Sequence, residues 1–559
     1  MTSILKSALL TAILITFAAI KAQAEVTAQQ VWSSLRTAMT TAGFELSASE
    51  ARSGNNLNIR DLTLNKHFQN PTGVGSGTLQ VSISNLKFAD LGDGTVGVIF
   101  PNRMPIILRS RDSVDGPFEV HLDIIQRELA IAASGKIEEI RHDYAAESIG
   151  LELRKLVFDG AEMSQAGVSA GLNLADISGT SIHKTQIDRR YTRNLNVGQL
   201  SYQAVLSTPD QADVSAGLNL ADVSGTSIHK TQADRQYTRN LNVGQLSYQA
   251  VLSTPDQADA AFNMSGQIKD LNFTNTTVLP LNLDWSDPLS LLAAGASVDA
   301  SWQYNEADSD FSALEGGRQY QHSSKVETGA GTFALNKKRV FYKAEVTNSD
   351  LFFVLDTLPF PISLKLAKAA GNLLVPLGAG PKAQPFNIGM TLSDFVASDM
   401  IWALFDDNAV LAREPMSLAI EISGTVKVLL DIFSAGALKT LEQDQSIPLE
   451  VQDLNISRLH LSGAGTTLNG AGSFAFDNSD FDSFKGLPRP MGSFKTELEG
   501  GNRLLNQLSD MGLLPKSEAM AMRMMLSMFT VPGASADTLK TVIEVTKEGH
   551  VLANGQRIR

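Results

Sequence analysis

Residues 168–213 read VSAGLNLADISGTSIHKTQIDRRYTRNLNVGQLSYQAVLSTPDQAD, and residues 214–259 repeat this segment almost unchanged. The two 46-residue copies differ at three positions: Ile177 and Val223, Ile187 and Ala233, Arg190 and Gln236. Near-identity of this kind indicates a recent duplication of one gene segment. Each copy predicts two strands, because apolar residues alternate with polar ones at its start and again at its end.

The second strand of each copy changes phase at a glycine. Leu195 and Val197 share one face, and after Gly198 the same face continues at Leu200 and Tyr202. A β-bulge at the glycine would produce this shift.

The duplication also constrains the architecture. A closed, tightly packed core tolerates little added volume, whereas two antiparallel strands inserted into an open sheet preserve chain direction and face parity. We therefore expect an open sheet that can lengthen by pairs of strands. The alternative left open is that one copy leaves the sheet as a large surface loop.

The flanking regions show the same strand pattern. Residues 25–165 predict an amphipathic helix, Thr27–Ala42, capped by Thr27 and Gln30, followed by strands. The region 166–259 holds the repeat, and residues 260–559 predict further strands with brief helices. The expected fold is predominantly antiparallel β with peripheral α-helices (α+β), arranged as an elongated curved sheet.

Two features of the C-terminal region are more specific. Gly463–Gly472 is rich in glycine and predicts a turn region, with Phe474 and Phe476 on the strand that follows. A helix is predicted from Ser517 to Phe529.

Residues 1–24 predict a cleavable signal peptide. A basic start precedes an apolar run, Ser7–Ile20, and Ala22-Gln23-Ala24 suits cleavage after Ala24. We therefore expect a periplasmic protein whose mature chain has no transmembrane helix; an uncleaved anchor is the alternative. The net charge of −13 argues against nucleic acid as a partner, and the lack of cysteine excludes disulfides and thiolate sites.

The sequence contains no nucleophile elbow, zinc-binding His-Glu-x-x-His helix, Walker loop or complete dinucleotide-binding glycine motif. His183 with Asp188, and its copy, is interpreted as part of a polar connector and not as a base with its carboxylate. Asp406-Asp407 and the pair Asp480 and Asp482 are interpreted as acidic turns, since neither has the spacing of a calcium loop. The sequence therefore predicts no enzyme, no metal and no cofactor.

Six of the 15 methionines lie between residues 511 and 528. Met520, Met524 and Met528 fall on one helical face, next to Phe529. Methionine suits both irregular core packing and surfaces that accept variable apolar partners. Core packing is the preferred interpretation, and the alternative is that these four residues line a groove for an acyl chain or a partner.

Several short motifs resemble an exported bacterial family catalogued as domain of unknown function 2125. They are Val31-Trp32, Leu404-Phe405-Asp406 with Arg413-Glu414-Pro415, Gly472 to Asp477, Gly486-Leu487-Pro488, Gly500-Gly501-Asn502, Met511 to Pro515, and Leu552 to Arg557. The resemblance covers nearly the whole mature chain and implies no reaction. By analogy of fold alone, it suggests an AsmA-like groove for lipid.

The function expected from these features is that of a non-enzymatic periplasmic protein. An apolar sheet face would bind lipid or another envelope protein in envelope maintenance. Two alternatives remain open: an outer-membrane β-barrel, which also suits an exported, strand-rich chain, and a hydrolase whose site is dispersed over distant loops.

Overall fold

The computed structural model describes residues 26–69, 76–110, 116–163, 167–184, 189–207, 213–231, 234–253, 260–281, 288–433 and 449–559. The predicted signal peptide and its cleavage site after Ala24 lie outside these residues. The described chain is mostly antiparallel β with few helices, as predicted. It divides into two compact units: unit 1 comprises residues up to Thr276 with Ser309–Gln319, and unit 2 comprises Thr277–Asp308 with Tyr320–Arg559.

Within the described residues, one helix and fourteen strands begin before Thr276 in unit 1. They are α1 Ala28–Thr41, β1 Glu45–Ser53, β2 Asn56–Gln69, β3 Ser76–Asp90, β4 Val96–Ile99, β5 Arg103–Ser110, β6 Phe118–Arg127, β7 Ala130–Lys136, β8 Glu139–Phe158, β9 Ala161–Met163, β10 Val168–Lys184, β11 Arg189–Ser207, β12 Asp213–Thr231, β13 Asp234–Ser253 and β14 Ala260–Pro280.

Helix α1 begins as the sequence predicts. The Thr27 side chain accepts a hydrogen bond from the Gln30 backbone N–H, and the Gln30 side chain accepts one from the Thr27 N–H at 2.9 Å. This capping box satisfies two backbone donors that the helix itself leaves unpaired. The residues of α1 that face the sheet are buried: Ala28, Val31, Trp32, Leu35 and Met39.

The sheet of unit 1 is continuous from β1 to β13. β1, β2 and β3 pair in order, and β3 then pairs with two short strands, β4 and β5. On their other side, β5 pairs with β6 and β4 pairs with β7. β8 pairs with both β6 and β7 and then with β10. One face of this sheet joins α1 in a single core cluster, in which the rings of Trp32 and Phe88 lie 5.9 Å apart.

Both copies of the repeat belong to this sheet. β10 and β11 come from the first copy, β12 and β13 from the second, and each pairs with the next in an antiparallel ladder. The register within the second copy is that of the first shifted by one repeat: Val168 faces Leu206, and Val214 faces Leu252. Described residues of both copies are thus strands of unit 1, and the surface-loop alternative is not what the structure shows.

The phase shift at Gly198 is confirmed, but its cause differs from the prediction. Asp176 and Gly198 lie opposite each other but do not form a ladder pair. Each strand has one residue between the pairs Ala175–Gln199 and Ile177–Val197, so no bulge is present. Instead, Asp176 adopts a left-handed backbone with φ of 53°. The break lets Leu195, Val197 and Leu200 all reach the core cluster.

Left-handed residues of this kind recur midway along other strands. Their φ values lie between 47° and 53°. Six of the seven are Asp or Asn, which tolerate this conformation best after glycine, and the seventh is Glu306. They are Asp61, Asp176, Asp222, Asp270, Glu306, Asn348 and Asp394. On either side of such a residue, the apolar side chains of one face are three positions apart and not two. Strict alternation does not predict this spacing.

From residue 288 onward the elements are mostly strands of unit 2. They are α2 Pro288–Ala293, β15 Ser297–Glu315, β16 Arg318–Asn336, β17 Arg339–Leu355, β18 Ile362–Pro376, β19 Gln384–Ala397, α3 Asp399–Trp402, β20 Met416–Val428, β21 Leu449–Gly463, β22 Thr466–Asp477, β23 Arg489–Glu499, α4 Gly501–Asp510, α5 Lys516–Phe529, β24 Val531–Pro532, β25 Thr538–Val545, β26 Val551–Ala553 and β27 Gln556–Arg557.

Strands β16 to β23 form an antiparallel meander, and β25 pairs with β23. The turn predicted over Gly463–Gly472 is wrong after its first three residues, since β22 begins at Thr466. Gly470 and Gly472 lie inside the strand, where an added Cβ would come within 2.9 Å of the Phe494 ring. These glycines thus admit an aromatic ring from the next strand.

Candidate apolar binding face

The register of unit 2 aligns apolar side chains across nine strands. Residues directly opposite each other in a ladder point to the same face of the sheet. One row across this face is Phe333, Tyr342, Leu373, Ile388, Ile422, Ile456, Gly472, Phe494 and Ile543.

Two neighbouring rows lie on the same face. One is Gly331, Ala344, Gly371, Met390, Ile420, Leu459, Gly470, Thr496 and Thr541; the other is Gly329, Val346, Ala369, Leu392, Leu418, Leu461, Leu468, Leu498 and Leu539. We call these three rows the apolar face. They contain no charged residue. At a strand spacing of about 4.8 Å, each row extends roughly 38 Å.

The apolar face is partly exposed, most of all at its centre. Ile388 and Leu461 each expose 50% of their surface, and Met390 exposes 43%. In unit 1, by contrast, Leu57 and Ile59 on the sheet face beneath α1 are 1% and 0% exposed. Among the described strands of unit 2, the buried apolar side chains are small ones, alanine, valine and proline: Pro280, Ala334, Pro376, Ala419, Val426, Val428, Val545 and Ala553.

The opposite face of the same sheet is polar. Lys368 pairs with Glu345 at 2.7 Å, and Lys365 pairs with Asp350 at 3.3 Å. Further along the sheet, the cross-strand ion pairs include Lys427 with Glu450, Arg489 with Asp477 and Lys540 with Glu497. Such exposed pairs add little stability, but they show that the two faces of the sheet differ in polarity.

Aromatic rings lie over glycines at the β15 side of the apolar face. The Trp302 ring occupies the space where a side chain at Gly331 would stand, and the Tyr304 ring does the same at Gly329. Trp302 also lies 6.4 Å from the Tyr342 ring, and His322 stacks on Phe353 at 4.7 Å. Glycine therefore allows large rings to lie flat on the sheet and widen its apolar area.

The methionine helix is not part of a core, so the preferred interpretation of its pattern is wrong. Met520, Met524 and Met528 expose 66%, 62% and 69% of their surface, and Phe529 exposes 36%. The stripe of α5 that turns inward is Ala519, Arg523 and Leu526, which is offset from the methionine face. Helical periodicity shows which residues share a face, but it does not show which face finds a packing partner.

The acidic residues considered for metal binding are held by the backbone. The Asp406 carboxylate is fully buried and accepts hydrogen bonds from the N–H groups of Val410 and Leu411, at 2.8 and 3.0 Å. Asp480 accepts one from the Ser483 N–H at 3.0 Å, which lowers its pKa. No group of three or more metal-ligating side chains occurs in the part of the chain that the structure describes.

Three neighbouring titratable groups on β8 have shifted pKa values but do not converge. Burial lowers the pKa of His142 to about 3, with a further contribution from His183, and burial raises the pKa of Tyr144 to about 12. Burial also raises the pKa of Asp143, which Arg141 opposes. His142 and Tyr144 point to the core and Asp143 to the other face of β8, so these groups do not form an acid–base pair.

The histidine of the repeat is placed against an aromatic ring. His229 stacks on Tyr237 with 4.3 Å between ring centroids, and burial lowers its pKa. In the first copy, His183 meets Tyr191 edge-on at 6.3 Å, while Asp188 lies outside the described residues.

Within the described ranges, no helix has both the length and the apolar character needed to cross a bilayer. A search of protein families finds no match to the chain, and no curated protein matches it. The resemblance to family 2125 therefore stays a prediction based on the motifs quoted above.

Proposed function

We propose that the chain is a non-enzymatic lipid-binding protein of the periplasm, and that the apolar face of unit 2 binds acyl chains. The observation that carries this proposal is the partial exposure of the three rows, greatest at Tyr342, Ile388, Met390 and Leu461, although the rows contain no charge. Exposed apolar surfaces of this extent on a folded protein are typical of binding sites.

The chemistry of the face favours acyl chains over a protein partner. A protein interface of ordinary composition forms about one hydrogen bond per 100–200 Å². The three rows offer side-chain hydroxyls only at Tyr342, Thr496 and Thr541. A saturated hydrocarbon chain needs no hydrogen-bond partner, and dispersion and water release suffice to hold it.

The dimensions also suit lipid. The hydrocarbon core of a bilayer is about 30 Å thick, so the acyl chains of one leaflet span about 15 Å. A row of roughly 38 Å can therefore accommodate a chain of that length lying across the strands. The periplasmic location in this proposal rests on the predicted signal peptide, and the lipid ligand rests on the face itself.

Two measurements test the proposal. Protein purified from the bacterial envelope without detergent should yield fatty acids or phospholipids on solvent extraction and mass spectrometry. The delipidated protein should bind an apolar fluorescent probe, and oleate should displace it. A protein that carries no lipid and binds no probe would rule out this function.

A further inference from the structure

One end of the unit 2 sheet carries a group of exposed apolar side chains outside the three rows. β19 ends at Ala397 and β20 begins at Met416, while β23 ends at Glu499 and β25 begins at Thr538. The register places all four strand ends at the same end of the sheet.

We call the apolar side chains at this end the strand-end patch: Met400, Leu404, Phe405, Met520, Met524 and Met528. The first three expose 48%, 59% and 44% of their surface, and Met520, Met524 and Met528 expose 66%, 62% and 69%. The patch therefore combines the segment between β19 and β20 with the outer face of α5.

Met400, Leu404 and Phe405 are exposed although the backbone that follows them is held firmly. The buried Asp406 carboxylate ties the segment after Phe405, and the Arg413 guanidinium donates to the Asp406 carbonyl at 2.9 Å. Gln507 of α4 donates to the Val410 carbonyl at 2.7 Å and so links α4 to this segment. Firm support of this segment means that the exposure of Met400, Leu404 and Phe405 is a property of the folded state.

The patch and the apolar face meet at this end of the sheet. The third row ends with Leu498 and Leu539, next to the strand ends. The Leu498 side chain reaches the start of α4, where a Cβ on Gly501 would lie 2.7 Å from it. Apolar surface thus continues from the sheet to the region from which α4 and α5 emerge.

The form of the patch favours a fluid partner. Its methionines project separately from the outer side of a helix, so they insert readily into an acyl layer and need no groove of matching shape. None of the six side chains is charged, and the chain carries −13 overall, so attraction to anionic headgroups would not supply the affinity.

We propose that the strand-end patch docks on a neutral phospholipid bilayer, and that acyl chains enter the apolar face from this end. This inference rests on the proposed function, because a face that binds acyl chains must exchange them with a bilayer. Docking by apolar insertion depends little on ionic strength, since screening acts on charges.

Flotation with phosphatidylcholine vesicles tests the docking step. The wild-type chain should float with the vesicles at both low and high salt. The variant Met520→Gln, Met524→Gln and Met528→Gln keeps side-chain length and helix propensity at exposed sites, and its vesicle partition coefficient should fall about tenfold or more. The control variant Leu91→Gln, Ile99→Gln and Ile137→Gln removes three exposed apolar side chains of unit 1 and should float like the wild type.

Each result separates docking from ligand binding. The methionine variant should still bind the apolar probe, because its changes lie outside the three rows. Docking is overturned if the wild type does not float, if the methionine variant floats equally well, or if sedimentation shows that the patch holds two copies of the chain together instead. Flotation of a wild type that binds no probe would overturn the proposed function and leave docking standing.

Discussion

Replacing Ile388 with Thr, and Met390 and Leu461 with Gln, makes the centre of the apolar face polar while keeping side-chain size nearly constant. These residues lie on β19 and β21 and expose 50%, 43% and 50% of their surface. Because about half of each side chain already contacts water, the new polar groups can remain hydrated. We expect each change to lower the free energy of unfolding by no more than about 1 kcal/mol.

The expected effect on ligand binding is larger. Burying a whole Leu, Ile or Met side chain contributes about 1.5–3 kcal/mol, so covering the exposed half of each contributes roughly 0.75–1.5 kcal/mol. Three such residues contribute roughly 2.3–4.5 kcal/mol. Since 1.4 kcal/mol corresponds to a tenfold change in affinity, the triple variant should bind an acyl probe roughly 40- to 1,600-fold more weakly.

The assay is titration of the delipidated protein with an environment-sensitive fatty acid. A matched control on the opposite face of the same sheet is Phe352→Gln, Leu374→Gln and Val396→Thr, in which Phe352 and Val396 each expose 38%. The control should bind like the wild type. Equal weakening in both variants, or unchanged affinity in the first, would refute the assignment of binding to the apolar face.

Three further predictions concern unit 1. Gly198→Ala would place a Cβ 2.9 Å from the Asp176 Cβ and should lower the free energy of unfolding by about 1–3 kcal/mol. The control Gly171→Ala, whose nearest contact is 3.7 Å away, should lower it by less than about 1 kcal/mol. Equal urea midpoints for the two variants would contradict the close packing of Gly198 against Asp176. Deletion of residues 214–259 removes two neighbouring strands and preserves the direction of the chain. Circular dichroism of this variant should therefore still show a β-rich protein that melts cooperatively. An aggregated product would count against a sheet that can lengthen by pairs of strands. The pKa of His142 is lower in the folded state than in the unfolded state, so its contribution to stability is complete above about pH 6.5 and is lost as pH falls toward 3, by about 2 kcal/mol at pH 5. His142→Leu should remove this loss and so flatten the pH dependence of the denaturation midpoint. An unchanged slope would show that other groups cause the pH dependence.

Local chemistry in the sequence was enough to predict much of the fold. The capping residues Thr27 and Gln30 mark the start of α1, and the alternation in the repeat predicts its paired strands. The phase shift at Gly198 was also visible, since it depends on residues close together in the chain. Its left-handed partner, Asp176, was missed because it lies in the neighbouring strand, so its role appears only once the register is known.

Covering of a sheet face is decided by distant parts of the chain. Leu57 and Ile59 alternate with polar residues just as Ile420 and Ile422 do, yet the first pair is buried in the core with α1 and the second pair remains partly exposed. The methionine helix shows the same limit, because a shared face looks alike in sequence whether it meets a core or water. The sequence by itself therefore determined the strands, the helices and the side of each that is apolar. Only the tertiary structure decided which of those apolar surfaces are buried, since burial depends on packing between segments far apart in the chain, and periodicity records only neighbours along it.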